Sequence, residues 1–371
     1  MRLYEEVTGQ LQEMEIRPRM GVYVCGITPY DSAHLGHAFT YVHFDVLVRY
    51  LRHLGAEVVH VQNVTDVDDD ILRVSKERGV DFRELAEREV ASFERAMRAI
   101  SVTPPTHQPR ATQFVPQMIE EVGLLLAAGH GYERRGTVYF RVASDPGYGR
   151  LSRLSREEML RLAAERGGHP EDPNKDDPLD FVLWQAWREG EPAWESPWGR
   201  GRPGWHIECS TMARRLLGQP VDIHGGGSDL IFPHHESELA QAEGVPGPRP
   251  FVRRWMDTGA VHMAGEKMSK SLGNLAFIHD LLTRHSAMRL RDFLLRRHYR
   301  EDWEFDETDL GRSTSDPGDG PATREAFYAA LDQDLDTPAA LRVLDRAASS
   351  TDPEAAALVD EGRALFGLSR S

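Results

Sequence analysis

Two short stretches, far apart in the chain, carry residue types suited to phosphate chemistry. His34-Leu35-Gly36-His37 sets two imidazoles three residues apart around a glycine, and Lys267-Met268-Ser269-Lys270-Ser271 sets two ammonium groups three apart behind Gly265-Glu266. A helix start offers unpaired N–H groups and the positive end of its dipole, which suits phosphate. His34 and His37 at i and i+3 share a helix face and can donate to phosphate oxygens, while Gly36 lets a nucleotide approach the backbone closely. Lys267 and Lys270, with Met268 and Ser269 between them, suit the charge on a departing pyrophosphate. Each stretch alone also reads blandly, as an amphipathic helix with two incidental histidines or as a solvated Lys/Ser turn. Together they point to phosphate chemistry on a bound nucleotide.

A second group of residues has ligand chemistry. The chain has two cysteines, Cys25 and Cys209, and the run Pro233-His234-His235-Glu236-Ser237-Glu238 puts His234 and Glu238 four apart, hence on one helix face. Two thiols, an imidazole and a carboxylate make a set that Zn²⁺ would accept. The spacing is not that of a zinc finger, and on spacing alone a pair of small buried thiols is the plainer reading. His224-Gly225-Gly226-Gly227-Ser228-Asp229 follows an apolar run. A glycine turn at the end of a strand can hold an adenosine, and its carboxylate can take ribose hydroxyls or an ammonium.

These residues need a scaffold that brings both chain halves to one edge. Residues 20–27 (MGVYVCGI) and 57–64 (EVVHVQNV) read as buried strands. A helix over 35–54, capped by Asp31 or Ser32, joins them. Strand, helix, strand with short links marks a parallel βαβ unit. Residues 66–100 read as charged helix, ended by Pro104-Pro105. Within a long insertion over 107–198, residues 112–128 and 151–166 read as helices, 136–143 as a strand and 165–178 (ERGGHPEDPNKDDP) as a surface loop. The core resumes at 204–208, with a helix over 209–217, a strand over 221–224 and another within 253–261. Beyond Ser271, residues 281–297 read as one helix, 306–323 as a flexible link and 324–368 as one or two amphipathic helices. The division expected is 1–106 and 199–275 for two halves of a nucleotide-binding α/β fold, 107–198 for an α+β insertion and 276–371 for a helical region.

Bulk properties narrow the classes. At 371 residues the chain exceeds one ordinary domain. Lys+Arg is 44 and Asp+Glu is 59, a net charge of −15, which argues against a general nucleic-acid binder. No apolar run approaches the roughly 20 residues of a membrane helix, and the acidic start lacks a signal core. A cytoplasmic enzyme without a structural disulfide is expected.

The paired histidine and lysine motifs resemble the signature of class I aminoacyl-tRNA synthetases, and residues 20 to about 300 resemble the cysteinyl-tRNA synthetase family. That resemblance implies a Rossmann-like catalytic domain and formation of cysteinyl-adenylate from L-cysteine and ATP with Mg²⁺. It implies zinc held by Cys25, Cys209, His234 and Glu238 and bound to the substrate thiol, with Thr65, Trp205 and Asp229 lining the amino-acid pocket. Zinc prefers a thiolate to a hydroxyl, so the metal would separate cysteine from serine where shape alone separates such analogues poorly.

Residues 25–31 with 34–38, 62–69, 165–168, 226–229 and 334–338 resemble the branch of that family that builds mycothiol. That branch implies transfer to a small aminosugar amine, glucosaminyl-inositol. The segment after Ser271 is shorter and more acidic than an anticodon-reading tail would be. Glu238 and His224 are the synthetase-like features, and they keep tRNA(Cys) as the alternative acceptor. A non-catalytic binding protein is disfavoured because both motifs and all four ligand positions are present.

Overall fold

The computed structural model describes residues 1–268, 273–311 and 317–369. Its centre is a four-stranded parallel sheet. Across the sheet the strands run Trp255–Thr258, Ile223–Gly227, Arg19–Ile27, Glu57–Val64. The two middle strands lie far apart in sequence. The chain leaves Arg19–Ile27 towards one side to make Glu57–Val64, then returns after the insertion to build the other side. The order therefore reverses between Arg19–Ile27 and Ile223–Gly227, and in open α/β sheets ligands settle beyond the carboxyl ends of strands at such a switch point.

Local sequence explains these elements. Val22, Tyr23 and Val24 are fully buried, as a central parallel strand with both faces covered requires. The helix Leu35–His53 is buried on nearly every face, because it lies between the sheet and the C-terminal helices. Its cap is His34 rather than Asp31 or Ser32. Gly225, Gly226 and Gly227 belong to the strand, not to a turn. A Cβ on Gly225 would stand 1.6 Å from the Met256 carbonyl oxygen, and one on Gly226 would stand 3.3 Å from Cys25 Cβ. The glycines thus serve close strand packing.

The insertion carries an antiparallel sheet in the order Gly131–Arg134, Thr137–Phe140, Phe181–Ala186, Gly201–Pro203. Its last strand falls within the segment read from sequence as the second half of the core. Three of the four strands have no clear alternation in sequence. The first pair closes through Arg135-Gly136, both at positive φ, the geometry of a tight hairpin.

Residues 281–297 form two helices, Ile278–Arg284 and Ala287–Leu295, separated by extended His285 and capped by Ser286. The terminal segment forms three helices, Arg324–Asp332, Thr337–Ala348 and Pro353–Leu365, each with its own side-chain cap. The stretch expected as a link contains the short helix Glu307–Gly311. The C-terminal helices share one core with Leu35–His53 through Phe327, Leu331, Leu341 and Phe366. Among the described residues no helix is long and apolar enough to cross a membrane.

Candidate active site and metal centre

The helix Leu35–His53 begins at the sheet's switch point. His34 Nδ1 accepts from the His37 backbone N–H (3.4 Å), and His37 Nδ1 accepts from the His34 N–H (3.5 Å). The rings stack with centroids 3.7 Å apart. This reciprocal cap satisfies two helix-end donors. It also fixes a tautomer, because an accepting Nδ1 leaves the neutral ring's proton on Nε2. Each imidazole then offers an Nε2–H donor. Gly36 leaves room for the stack, since a Cβ there would meet the His34 ring at 3.1 Å.

Lys267 lies in the two-residue strand Glu266–Lys267, paired with Val261–Met263. Its Nζ is 3.0 Å from Asp229 Oδ2, and both side chains are half exposed. Met268 is buried, and its N–H donates to the Val261 carbonyl. Ser269, Lys270 and Ser271 lie outside the described residues. Asp229 follows the glycine strand. Arg166, from the insertion, donates to the Asp229 carbonyl (2.6 Å) and to that of Phe232.

One cleft of about 1710 Å³ joins these parts. Cys25, His34, Gly36 and His37 line it, with Trp205, Gly227, Asp229, Lys267 and Met268. The insertion residues 165–175, read from sequence as a surface loop, form one wall. Thr65 is buried beside it and accepts from Asn63 Nδ2 (3.2 Å). Gly226 is not among the lining residues and packs against Cys25 and Leu230.

The floor is chemically distinct. Cys25, Cys209, His234 and Glu238 are all buried, and one ligand atom from each lies within 4.8 Å of the others. Cys25 Sγ is 3.6 Å from Glu238 Oε1, and His234 Nε2 is 3.2 Å from the same oxygen. Tetrahedral bonds of about 2.0–2.3 Å would set donor atoms about 3.3–3.8 Å apart, so the spacing fits a metal ion. Trp205 opens the helix Trp205–Leu217 and stacks on His234 with centroids 4.3 Å apart. His206 Nδ1 lies 2.9 Å from His234 Nδ1 and turns the His234 Nε2 towards Glu238.

Without a cation the floor is electrostatically unfavourable. Burial pushes both thiols up, and the Glu238 charge adds to it. Burial pushes the Glu238 carboxyl up to about 8. Burial and neighbouring imidazoles push His234 well down. Glu238 Oε2 has no hydrogen-bond partner. A divalent cation would reverse each of these tendencies, by deprotonating the thiols and engaging the carboxylate and the neutral imidazole.

Sequence reasoning passed over His235, Asp257 and His206, which stand around the floor, and Arg166, which ties the insertion to Asp229. The only sequence signal for His235 is its place beside His234. Asp257 lies one residue before the end of the edge strand Trp255–Thr258 and carries no motif.

Sheet order, switch-point cleft and paired motifs define a class I synthetase catalytic fold. The family described as tRNA synthetases class I (C) catalytic domain matches residues 12–315. The chain belongs to this family and is a ligase of the class I synthetase kind. It is 45% identical over 359 residues to an L-cysteine:1D-myo-inositol 2-amino-2-deoxy-alpha-D-glucopyranoside ligase from Thermomonospora curvata, covering 93% of this chain and 87% of that one. It is 44% identical over 365 residues to a cysteine–tRNA ligase from Dehalococcoides mccartyi, covering 93% and 79%. Mycobacterium tuberculosis methionyl-tRNA synthetase in complex with methionyl-adenylate shares the fold, with a TM-score of 0.64, 17% identity and coverage of 95% and 88%.

Proposed function

We propose that the protein activates L-cysteine with ATP and Mg²⁺ and transfers it to the amine of glucosaminyl-inositol. What supports cysteine is the buried Cys25–Cys209–His234–Glu238 cluster on the floor of the cleft whose rim carries His34, His37 and Lys267. Zn²⁺ held by these four residues would supply an affinity for sulfur over oxygen. Thr65, Trp205 and Asp229 border the amino acid, with Asp229 facing its ammonium. Gly36, Gly226 and Gly227 admit the nucleotide, with Met268 and Ser269 as further ATP-binding residues.

The chemistry has two steps. A cysteine carboxylate is ionised at neutral pH, so its oxygen attacks the α-phosphorus without a general base, and the bond to pyrophosphate breaks. His34 and His37 donate from Nε2 to phosphate oxygens, while Lys267 and Lys270 offset the charge that grows on pyrophosphate. The neutral acceptor amine then attacks the adenylate carbonyl. The bond to AMP breaks and the amine nitrogen gives up a proton.

For the acceptor, a net charge of −15 opposes a polyanion and favours a small amine. The second reading, tRNA(Cys), draws on Glu238 as a fourth ligand and on relatives named for tRNA at equal identity. Incubation with ATP, labelled cysteine and either acceptor separates them. Cysteinylated glucosaminyl-inositol supports the first reading; labelled tRNA without labelled aminosugar rejects it.

A further inference from the structure

The floor contains more ligands than one tetrahedral ion uses. A second group, Cys25, His224, His235 and Glu238, also brings one ligand atom from each residue within 4.8 Å of the others, all buried. The two groups share Cys25 and Glu238. We propose that they are two overlapping sites for a single thiophilic divalent ion, with His224 and His235 forming the second. This rests on the metal reading above.

Glu238 shows the overlap directly. Its Oε1 faces Cys25 Sγ (3.6 Å) and His234 Nε2 (3.2 Å). Its Oε2 faces His224 Nε2 (3.4 Å) and has no hydrogen-bond partner. Cys25 Sγ is also 3.6 Å from His224 Nε2. These spacings match the about 3.3–3.8 Å edge of a tetrahedral ligand set in both directions from the carboxylate. His235 is fully buried; Asp257 stands at its Nδ1, and its Nε2 has no hydrogen-bond partner.

Each group also has support behind it. His206 stands behind His234 at 2.9 Å, and Asp257 stands beside His235, Nδ1 to Oδ1 3.1 Å. Metal-bound imidazoles are commonly oriented through their other ring nitrogen in this way. His224 is wedged among Tyr23, Phe251 and Trp255, a setting too apolar for a solvated histidine. A simple hydrogen-bonding role for His224 would leave the buried His235 Nε2 without a partner. Two adjoining sites use His224, His235 and both Glu238 oxygens.

The test removes the two ligands unique to the first group. The double variant Cys209→Ser/His234→Gln should bind about one equivalent of Co²⁺ with a single-thiolate charge-transfer band. Adding His224→Gln should weaken that binding at least tenfold. A folded double variant that binds no Co²⁺ overturns the inference. If the double variant does not fold, Zn²⁺-loaded Cys209→Ser is read by X-ray absorption. Two imidazole nitrogens on the metal support the second group, and one overturns it. Wild-type protein that takes up no Zn²⁺ overturns the metal reading itself.

Discussion

Cys25 and Glu238 are 213 positions apart in the chain, and Sγ and Oε1 are 3.6 Å apart in the fold. One belongs to the strand Arg19–Ile27 and the other to the helix Glu236–Gly244. Any ion held between them clamps the first half of the core to the second. Removal of metal with a chelator should therefore lower the melting temperature as well as cysteine activation, and added Zn²⁺ should restore both. Equal melting with and without metal would remove the clamp.

Cys209→Ser exchanges a soft ligand for a hard one. Zn²⁺ affinity should fall tenfold or more, and discrimination against serine in pyrophosphate exchange should fall with it. Unchanged affinity together with unchanged discrimination would show that Cys209 is only a packed thiol.

Lys267→Ala removes a charge that matters most as pyrophosphate departs. The exchange rate should drop by roughly 10²-fold, with a much smaller change in the cysteine KM. A KM effect alone would reassign Lys267 to holding Asp229, its 3.0 Å partner.

The first two core strands were legible because 20–27 and 57–64 are rich in apolar and β-branched residues, and residues 57–64 fall where the reading put them. The histidine cap was not, since Asp31 and Ser32 are the better cap formers by type and only the reciprocal His34–His37 bonds decide otherwise. The glycine run was misread as a turn because its reason, the Met256 carbonyl, comes from a distant strand. For the same cause the second histidine pair around Glu238 is invisible in sequence. His224 sits before the glycines and His235 beside a better candidate; the parallel pairing of Arg19–Ile27 with Ile223–Gly227 brings His224 to Cys25, and the helical turn Ile231–His235 returns His235 to it.

Arg291 is fully buried against Asp45, and it also donates to the carbonyls of Ile100 and Phe366. Arg291→Ala would leave Asp45 with the partly exposed Arg49 as its charged partner and the Thr103 N–H as a donor, and would take the Arg291 donors from two carbonyls. It should cost about 3–5 kcal/mol of stability in urea unfolding. Lysine should not rescue it, lacking the planar fork. A loss below about 1 kcal/mol would mean the pair is solvated.

His60 is buried with Nε2 unpartnered, and burial lowers its pKa from 6.5 to about 4. The unfolded chain binds its proton first, so stability is complete above pH 6.5 and is lost as pH falls towards 4. Between pH 7 and pH 5 this site should cost about 2 kcal/mol. His60→Leu should lose about that much less than wild type over the same interval. Identical pH slopes for the two proteins would show that His60 does not drive the loss.

The most direct measurement is cysteine-dependent exchange of labelled pyrophosphate into ATP by Zn²⁺-loaded protein, with serine in parallel. Robust exchange with cysteine and little with serine is the result expected from a thiol-selective metal below a phosphate-binding helix start. No exchange with cysteine, or equal exchange with both amino acids, would contradict it.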